Sequence, residues 1–244
     1  MIDKVDGHLR NRLFASMSAS DYSLIASNLQ SAAYKQGVVL QEAGEVLDRI
    51  YFPQTGMISL LVMSEDGGGI EAATIGYEGG VGLHRGLGTR RAFTRAVIQL
   101  AGTFSQVSAE AFERATSQST SIREIISTYT EVLWVEAQQI AACNASHDAV
   151  ARLARWLLQT QDRLQPKTPT IALTQDFLAQ MLGTRRTTVT LVARTLQTAG
   201  LIRYRRGKIE IIDRPGLEEA ACECYRIIHH ETLPEVIGVD LKPR

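Results

Sequence analysis

The chain has 244 residues, is 45% hydrophobic, and carries 26 basic and 26 acidic side chains that cancel to a formal net charge of zero. That length and apolar content suffice for two cores, and the balanced charge excludes an argument from global electrostatics for either nucleic acid or a membrane surface. The balance is uneven along the chain: residues 1 to 160 hold 13 basic and 16 acidic side chains, whereas 161 to 244 hold 13 and 10. Cys143, Cys222 and Cys224 stand at neither disulfide-framework nor zinc spacing and read as free thiols of a reducing compartment. The opening MIDKVDGHLRNRLF lacks the apolar core of a signal peptide, and no run reaches the roughly 18 apolar residues of a membrane span. The cytoplasm is therefore the expected location, with no membrane partner.

Residues 8 to 33 space Leu13, Phe14, Met17, Tyr22, Leu24, Ile25 and Leu29 as short amphipathic helices do, with Ser20 and Asp21 able to cap the second. From about 34 to 108 come short β-branched or alternating runs: VVL at 38, IYF at 50, MISLLVM at 57, IEAATI at 70, AVIQL at 96 and TFSQV at 103. The turn signals QEAGE, PQTG, SEDGGG and GYEGGVG separate them, which predicts an antiparallel, eight-stranded jelly roll, a double-stranded β-helix. Ser108 can cap a helix over AEAFERAT, and a long helix over about 119 to 142 carries Ile122, Ile125, Ile126, Tyr129, Val132, Leu133 and Ile140 on one stripe. That stripe suits a seam between two subunits, and packing on the chain's own β domain is the alternative. Asn144 to His147 reads as a break. HDAVARLARWLLQTQDRL resumes a helix that buries Val150, Leu153, Ala154, Leu157 and Leu158, and QPKTPT, with Pro166 and Pro169, reads as a linker.

Beyond the linker the charge concentrates. From Phe177 to Ile209 there are seven Arg or Lys residues and no Asp or Glu. Thr174 is a good N-cap for an eight-residue helix with Phe177, Leu178, Met181 and Leu182 on one face, ending at Gly183, where positive φ is cheap. A second helix from Thr184 turns Val189, Val192, Ala193 and Leu196 inward, leaving Arg185, Arg186, Thr187, Thr190 and Arg194 outward. Arg forms bidentate bonds to guanine, and Thr can donate to a base or pack on the thymine methyl. Gly200 ends this helix, and LIRY, RRGK and IEII read as a two-stranded hairpin with Arg205, Arg206 and Lys208 around Gly207. Helix, tight turn, helix and basic hairpin together predict a winged helix-turn-helix for double-stranded DNA. LEEAACECYRII then reads as one helix, and the tail beyond Pro234 as poorly ordered.

The stretch LTQDFLAQMLGTRRTTVTLVARTLQTAGLIRYRRGKIEIID is similar to the helix-turn-helix and wing of the Crp/Fnr superfamily of bacterial transcription regulators, and the resemblance extends over nearly the whole chain in element order. It implies an α+β fold: an N-terminal double-stranded β-helix of cyclic-nucleotide-binding type, a long dimerisation helix and a C-terminal winged helix-turn-helix. The corresponding boundaries are 1 to 118 for the effector-type roll with its N-terminal helices, 119 to 165 for the dimerisation and hinge helices, 166 to 230 for the DNA-binding domain and 231 to 244 for a tail. It further implies homodimers on pseudo-palindromic operators and contact with RNA polymerase. Base reading falls to Arg185, Arg186, Thr187 and Thr190, and backbone contacts to Thr174, Thr184, Thr188, Arg194, Arg203, Arg205, Arg206 and Lys208.

The departures from that pattern carry their own expectations. Where the cyclic-AMP receptor's recognition helix has Arg-Glu and a second Arg one turn on, this chain has Arg186, Thr187 and Leu191, so a different operator is expected. The phosphate-binding segment of the family, Gly-Glu-Leu and then Arg-Ala, is met by Gly79, Gly80, Val81, Gly82 and Leu83, with Glu78 out of step and Arg95-Ala96 in ambiguous register. Glu78, Gly79, Gly80, Val81 and Arg95 are the candidate effector-pocket residues. Classical cyclic AMP is not expected, the glycines read mainly as turn formers, and another small-molecule effector or none remains open. With no Cys before 143 an N-terminal iron–sulfur cluster is not expected, and with His84 read as an exposed turn residue haem is not expected as a cofactor either. Cys222 and Cys224, two apart on a helix, should point away from each other, and His229 and His230 read as surface residues, so no metal is expected. No P-loop, G-x-S-x-G or H-E-x-x-H is present, which argues against an enzyme. The other binding-class reading is a ligand-sensing module that regulates a partner protein.

Overall fold

The structure is a computed structural model describing residues 7–65, 67–164 and 170–232, with side chains to 229. The expected tail beyond Pro234, the side chain of His230 and most of the QPKTPT linker lie outside the described residues. The first helices whose bounds lie within the described residues are α1 (Arg12–Ala15) and α2 (Ala19–Ala26). The cap of α2 is Ser18, not Ser20: its hydroxyl accepts from the Asp21 backbone N–H at 3.1 Å and donates to the Asp21 carboxylate at 2.8 Å. Asn11, fully buried, caps α1 and donates to the Pro53 and Gly79 carbonyls, which pins the N-terminus to the roll.

Among the described residues the roll has seven strands: β1 (Gln30–Tyr34), β2 (Val39–Gln41), β3 (Arg49–Pro53), β4 (Met57–Met63), β5 (Gly69–Ile75), β6 (Arg95–Leu100) and β7 (Gly102–Ser108). They form two antiparallel sheets in the orders β1-β7-β3 and β2-β6-β4-β5. The eighth strand expected is reduced to isolated bridges, Val46 with Arg91 and Tyr51 with Val81, on either side of a 3-10 turn at Leu83–Leu87. Strand β1, QSAAY, was hidden in the sequence by its small polar residues, which carry no apolar alternation.

Helix α3 (Ala109–Gln118) is capped by Ser108 as expected, and α4 (Thr120–Ser146) ends four residues beyond the point its periodicity indicates. It runs through Asn144 and stops at His147, after which Asp148 caps α5 (Ala149–Asp162). The α4 stripe packs on its own roll: Ile122, Ile126 and Tyr129 belong to the core with Phe14, Phe52 and Phe112, Ile125 and Leu133 lie half-buried against it, and Ile140 is buried too. These positions are thus not a free seam for a second subunit; the exposed face of α4 carries Trp134, 66% accessible, with Gln138, Ala141, Ala142 and Ala145. A buried stripe looks the same in sequence whichever neighbour covers it.

The C-terminal part contains β8 (Thr170–Ala172), α6 (Gln175–Leu182), α7 (Arg186–Thr198), β9 (Ile202–Arg205), β10 (Lys208–Ile211), α8 (Arg214–Ala220) and α9 (Cys224–Thr232). Its core is continuous with one face of the roll. Met57, Leu61, Val97 and Leu100 join Leu153, Trp156 and Leu157 of α5 and Leu178, Met181, Val189 and Leu196 of the helix pair in one cluster. Met181 lies 2.8 Å from the Gln99 amide nitrogen, and Ile70 packs beneath Gly183, so α6 is seated on the β4–β5–β6 surface.

Candidate nucleic-acid interface

Local chemistry fixes the helix-turn-helix. The Thr174 hydroxyl accepts from the Phe177 N–H at 3.3 Å, and Gly183, at φ 55°, closes α6 with its N–H on the Ala179 and Gln180 carbonyls. Thr184 lies in the turn, and the second helix starts at Arg186 with Arg185 as a cap that makes no side-chain capping bond. Val189, Val192, Ala193 and Leu196 are buried as expected, which turns Thr187, Thr190, Leu191 and Arg194 outward on one face at three- and four-residue steps. Leu191 is 66% exposed.

The wing is a three-stranded sheet, β8-β10-β9, rather than a bare hairpin. Its tip is a two-residue turn in which Arg206 (φ 50°) and Gly207 (φ 73°) both take positive φ, the requirement of a type I′ hairpin. Such a position costs a non-glycine residue roughly 1–2 kcal/mol, which Arg206 bears at an exposed tip. Alternation along the strands buries Ile202, Ile209 and Ile211 and puts Arg203, Arg205 and Lys208 on the other face, where with Arg206, Thr170 and Glu210 they line one shallow hollow. Tyr204 faces the module's interior, its N–H on the Gln197 side chain, and burial pushes its phenol pKa up while the nearby Arg186 charge opposes the rise.

Acidic partners do exist, contrary to what the run from Phe177 to Ile209 indicates, because they stand just outside it. Arg186 turns back to Gln175 (3.1 Å) and Asp176 (3.4 Å), and Arg203 pairs with Glu210 at 2.8 Å. Among the described residues no ion pair engages Arg185, Arg194, Arg205, Arg206 or Lys208. Thr188 and Thr184 are half-buried, less open than the other expected backbone contacts.

The candidate effector residues separate. A cavity of about 340 Å³ lies between the roll and α4, lined by Gly80 and Val81 together with Leu60, His84, Phe93, Leu133 and Trp134. Among the described residues its lining contains no Arg, Lys, Asp or Glu. Arg95 instead pairs with Glu42 at 2.7 Å. Gly79 makes room for Tyr129, whose hydroxyl lies where a Cβ would stand, and Gly80 makes room for Phe52; of this run only Gly82 uses positive φ, so the turn-former reading holds for that residue. His84 is half-buried, stacked on Phe93 and 3.1 Å from the Arg91 carbonyl, rather than exposed, and burial lowers its pKa.

Glu78 is buried in an ion-pair network that sequence reasoning missed. Arg163, at the end of α5, donates to Glu78 (3.0 Å), Thr74 (3.1 Å) and Glu136 of α4 (2.8 Å), and Glu78 also accepts from the Gly76 N–H at 2.8 Å. Burial raises the pKa of Glu136, and Arg163 opposes that rise. Beside it, Glu71 accepts from Ser59 (2.6 Å), Gln99 (3.2 Å) and the Trp156 indole (2.8 Å); burial carries its pKa up to about 7 against those bonds. At the far end, Asp162 holds Tyr225, Arg214 and His229, so His229 does have a carboxylate neighbour. Burial would raise the Asp162 pKa, but the hydrogen bonds from His229 and Tyr225 with the Arg214 charge bring it down.

The three cysteines also meet, against expectation. The predicted helix LEEAACECYRII is interrupted at Ala221–Glu223, which frees Cys222 from helical spacing and lets it converge with Cys224 on Cys143 and His147. A hydrogen bond from Cys222 is the leading influence that brings the Cys143 pKa down to about 5, and the same contact raises Cys222.

A family profile for the Crp-like helix-turn-helix domain matches residues 151–220. Among solved structures, FixK2 from Bradyrhizobium japonicum aligns with a TM-score of 0.69 at 18% identity, covering 80% of this chain and 98% of its own. A putative Crp/Fnr-family transcriptional regulator from Eubacterium rectale aligns at 0.62 and 20% identity, covering 86% and 98%. The c-di-GMP-responsive global regulator CLP of Xanthomonas campestris aligns at 0.63 and 16%, covering 80% and 99%. No curated protein matches by sequence. Among the described residues no helix is long and apolar enough to cross a membrane. Residues 151–220 are therefore similar to the Crp-like helix-turn-helix domain, and the chain as a whole has the fold of the solved Crp/Fnr-type regulators with which it aligns.

Proposed function

We propose that this protein is a cytoplasmic, sequence-specific transcription regulator, not an enzyme, and that it binds duplex DNA as a homodimer on a pseudo-palindromic operator and acts through contact with RNA polymerase. The observation that carries this reading is the set of cations with no ion pair among the described residues, Arg185 at the cap and Arg194 on the face of the recognition helix, and Arg205, Arg206 and Lys208 on the wing. Cations left without acidic neighbours suit a polyanion, and their elements are the pair that a winged helix lays on a major groove and its flanking phosphates. Arg185, Thr187 and Thr190 face the bases in this reading, with Leu191 suited to a thymine methyl. Arg186 joins them by leaving Asp176, an exposed pair worth about 0–1 kcal/mol. Dimerisation falls to the exposed face of α4 around Trp134, setting two recognition helices about 34 Å apart.

The cavity behind Trp134 suits an apolar effector of modest size. Its lack of a cation does not suit the phosphate of a cyclic nucleotide, and Glu78, committed to Arg163, is not available to hold a ribose. Because α6 is seated on β4–β6, an effector that moves α4 or that sheet acts on the DNA-binding module by direct contact.

Fluorescence titration of labelled duplexes tests the reading. A dimer that neutralises roughly 6 to 10 phosphates loses about three to five decades of affinity between 50 and 200 mM salt. Failure to bind any duplex at low salt, or affinity indifferent to salt, overturns it. Gel filtration at micromolar concentration tests the dimer.

A further inference from the structure

Four side chains distant in sequence share one point at the junction between the long helix and the last helix. Cys143 and His147 stand one turn apart at the end of α4, Cys222 lies in the bend before α9, and Cys224 opens that helix. Their ligand atoms all lie within 4.8 Å of one another. Cys143 Sγ is 3.5 Å from Cys222 Sγ, and Cys224 Sγ is 3.6 Å from His147 Nδ1. A tetrahedral ion with Zn–S bonds of about 2.3 Å holds its sulfurs about 3.8 Å apart, so the four donors already stand near the corners of such a shell.

We propose that Cys143, His147, Cys222 and Cys224 bind one Zn²⁺ as a closed Cys₃His site that fastens the C-terminal helix to the end of α4. The surroundings are those such a site needs. His147 offers Nδ1 to the ion while Nε2 lies 3.1 Å from the Glu223 carboxylate, which fixes the tautomer and orients the ring. Gln139 donates to Cys224 Sγ at 3.0 Å. Three thiolates around a divalent ion leave one negative charge, and the nearby buried guanidinium groups of Arg152 and Arg155 act on Cys143 and Cys222 to offset it. All three cysteines are buried and His147 is half-buried, so four protein ligands fill the shell and no position is left for substrate, which marks a structural rather than a catalytic site. An iron–sulfur cluster, which sets its thiolates around several metal atoms, fits this compact shell poorly.

A metal here joins elements 79 residues apart, Cys143 with Cys222, and does so at His147, which with Asp148 links α4 to α5. The angle at which the DNA-binding module leaves the long helix is thereby fixed by coordination as well as by packing.

The test uses the full chain, purified under reducing conditions from zinc-supplemented medium. Elemental analysis should find about one zinc per chain, and anaerobic Co²⁺ exchange should give the intense visible bands of a tetrahedral site with thiolate-to-cobalt charge transfer in the near ultraviolet. Cys222→Ser and Cys224→Ser should lose both signals. Because those variants remove buried side chains and can also disturb folding, Glu223→Gln, at an exposed position, provides a second measure: zinc affinity should fall about 10- to 100-fold with the circular dichroism unchanged. His229→Ala, outside the cluster, should retain the metal. Zinc well below stoichiometry together with no cobalt spectrum in the reduced wild-type chain overturns the proposal. So does a metal-free protein in which Cys143 and Cys222 form a disulfide, which would make the pair a redox element instead.

Discussion

The seam beneath the roll and the face of the wing are both dense in charge, yet they spend it in opposite ways. Around Arg163 the charges are buried and paired within the chain: one guanidinium serves Glu78, Glu136 and Thr74. On the wing, Arg205, Arg206 and Lys208 are exposed, and among the described residues no carboxylate engages them. Charge answered within the chain holds elements together, whereas charge left open is available to something outside it. The contrast locates function more sharply than net charge, which is zero for the whole protein.

The largest expected effect breaks the seam. Arg163→Met leaves two buried carboxylates facing each other without a cation, and removal of one partner from such a pair costs about 3–5 kcal/mol. Urea unfolding should show that loss; a change under about 1 kcal/mol would mean that the carboxyls of Glu78 and Glu136 do not depend on Arg163. The next concerns Glu71, which ties β5 to Trp156 of α5. Its folded-state pKa, raised from 4.5 to about 7, lies above that of the unfolded carboxyl. The stabilisation is therefore complete below about pH 4.5 and is lost as pH climbs through about 7, a span worth roughly 3 kcal/mol at most. Unfolding followed from pH 5 to 8 should show the decline, and Glu71→Gln should flatten it; an equal decline in both proteins would assign it to another group.

What sequence showed and what it hid divide along the same line. The helix-turn-helix is legible because its determinants are local: the Thr174 cap, Gly183 at positive φ and the inward step from Val189 to Leu196 all lie within a few residues of what they control. The seam is not legible, because nothing near Glu78 in sequence says that Arg163 lies against it, and an acidic residue in a glycine run resembles a ligand-binding residue as much as a structural one. The α4 stripe failed in a related way: periodicity showed that Ile122, Ile126 and Tyr129 are covered but not by which surface. The cysteines are hidden because the helical pattern of LEEAACECYRII runs unbroken across Ala221–Glu223, and a three-residue break there reverses the geometry of Cys222 and Cys224.

On the exposed side, effects should be smaller and visible only with DNA. Arg186→Ala should cost about 1–3 kcal/mol of binding and relax preference at one base position, whereas Arg206→Ala should weaken all sequences alike and lower the salt slope by about 1. Selection from random duplexes with each variant separates the roles, and uniform weakening by both would assign Arg186 to the backbone.

The smallest effect lies where the two regimes touch, at the pair of Arg203 and Glu210. It has the 2.8 Å geometry of the seam but not its burial, with side chains 65% and 38% exposed. Water already solvates both charges, so Glu210→Gln should change unfolding stability by less than about 1 kcal/mol, where a like substitution in the seam would cost several times more. The same change releases Arg203 toward phosphate and removes a negative charge from the wing, so duplex affinity should rise, by less than about tenfold, with a steeper salt dependence. Affinity that falls on this substitution would mean that Glu210 orients Arg203 for its contact rather than competing for it, and the wing would then share the seam's logic of charges held in place by their partners.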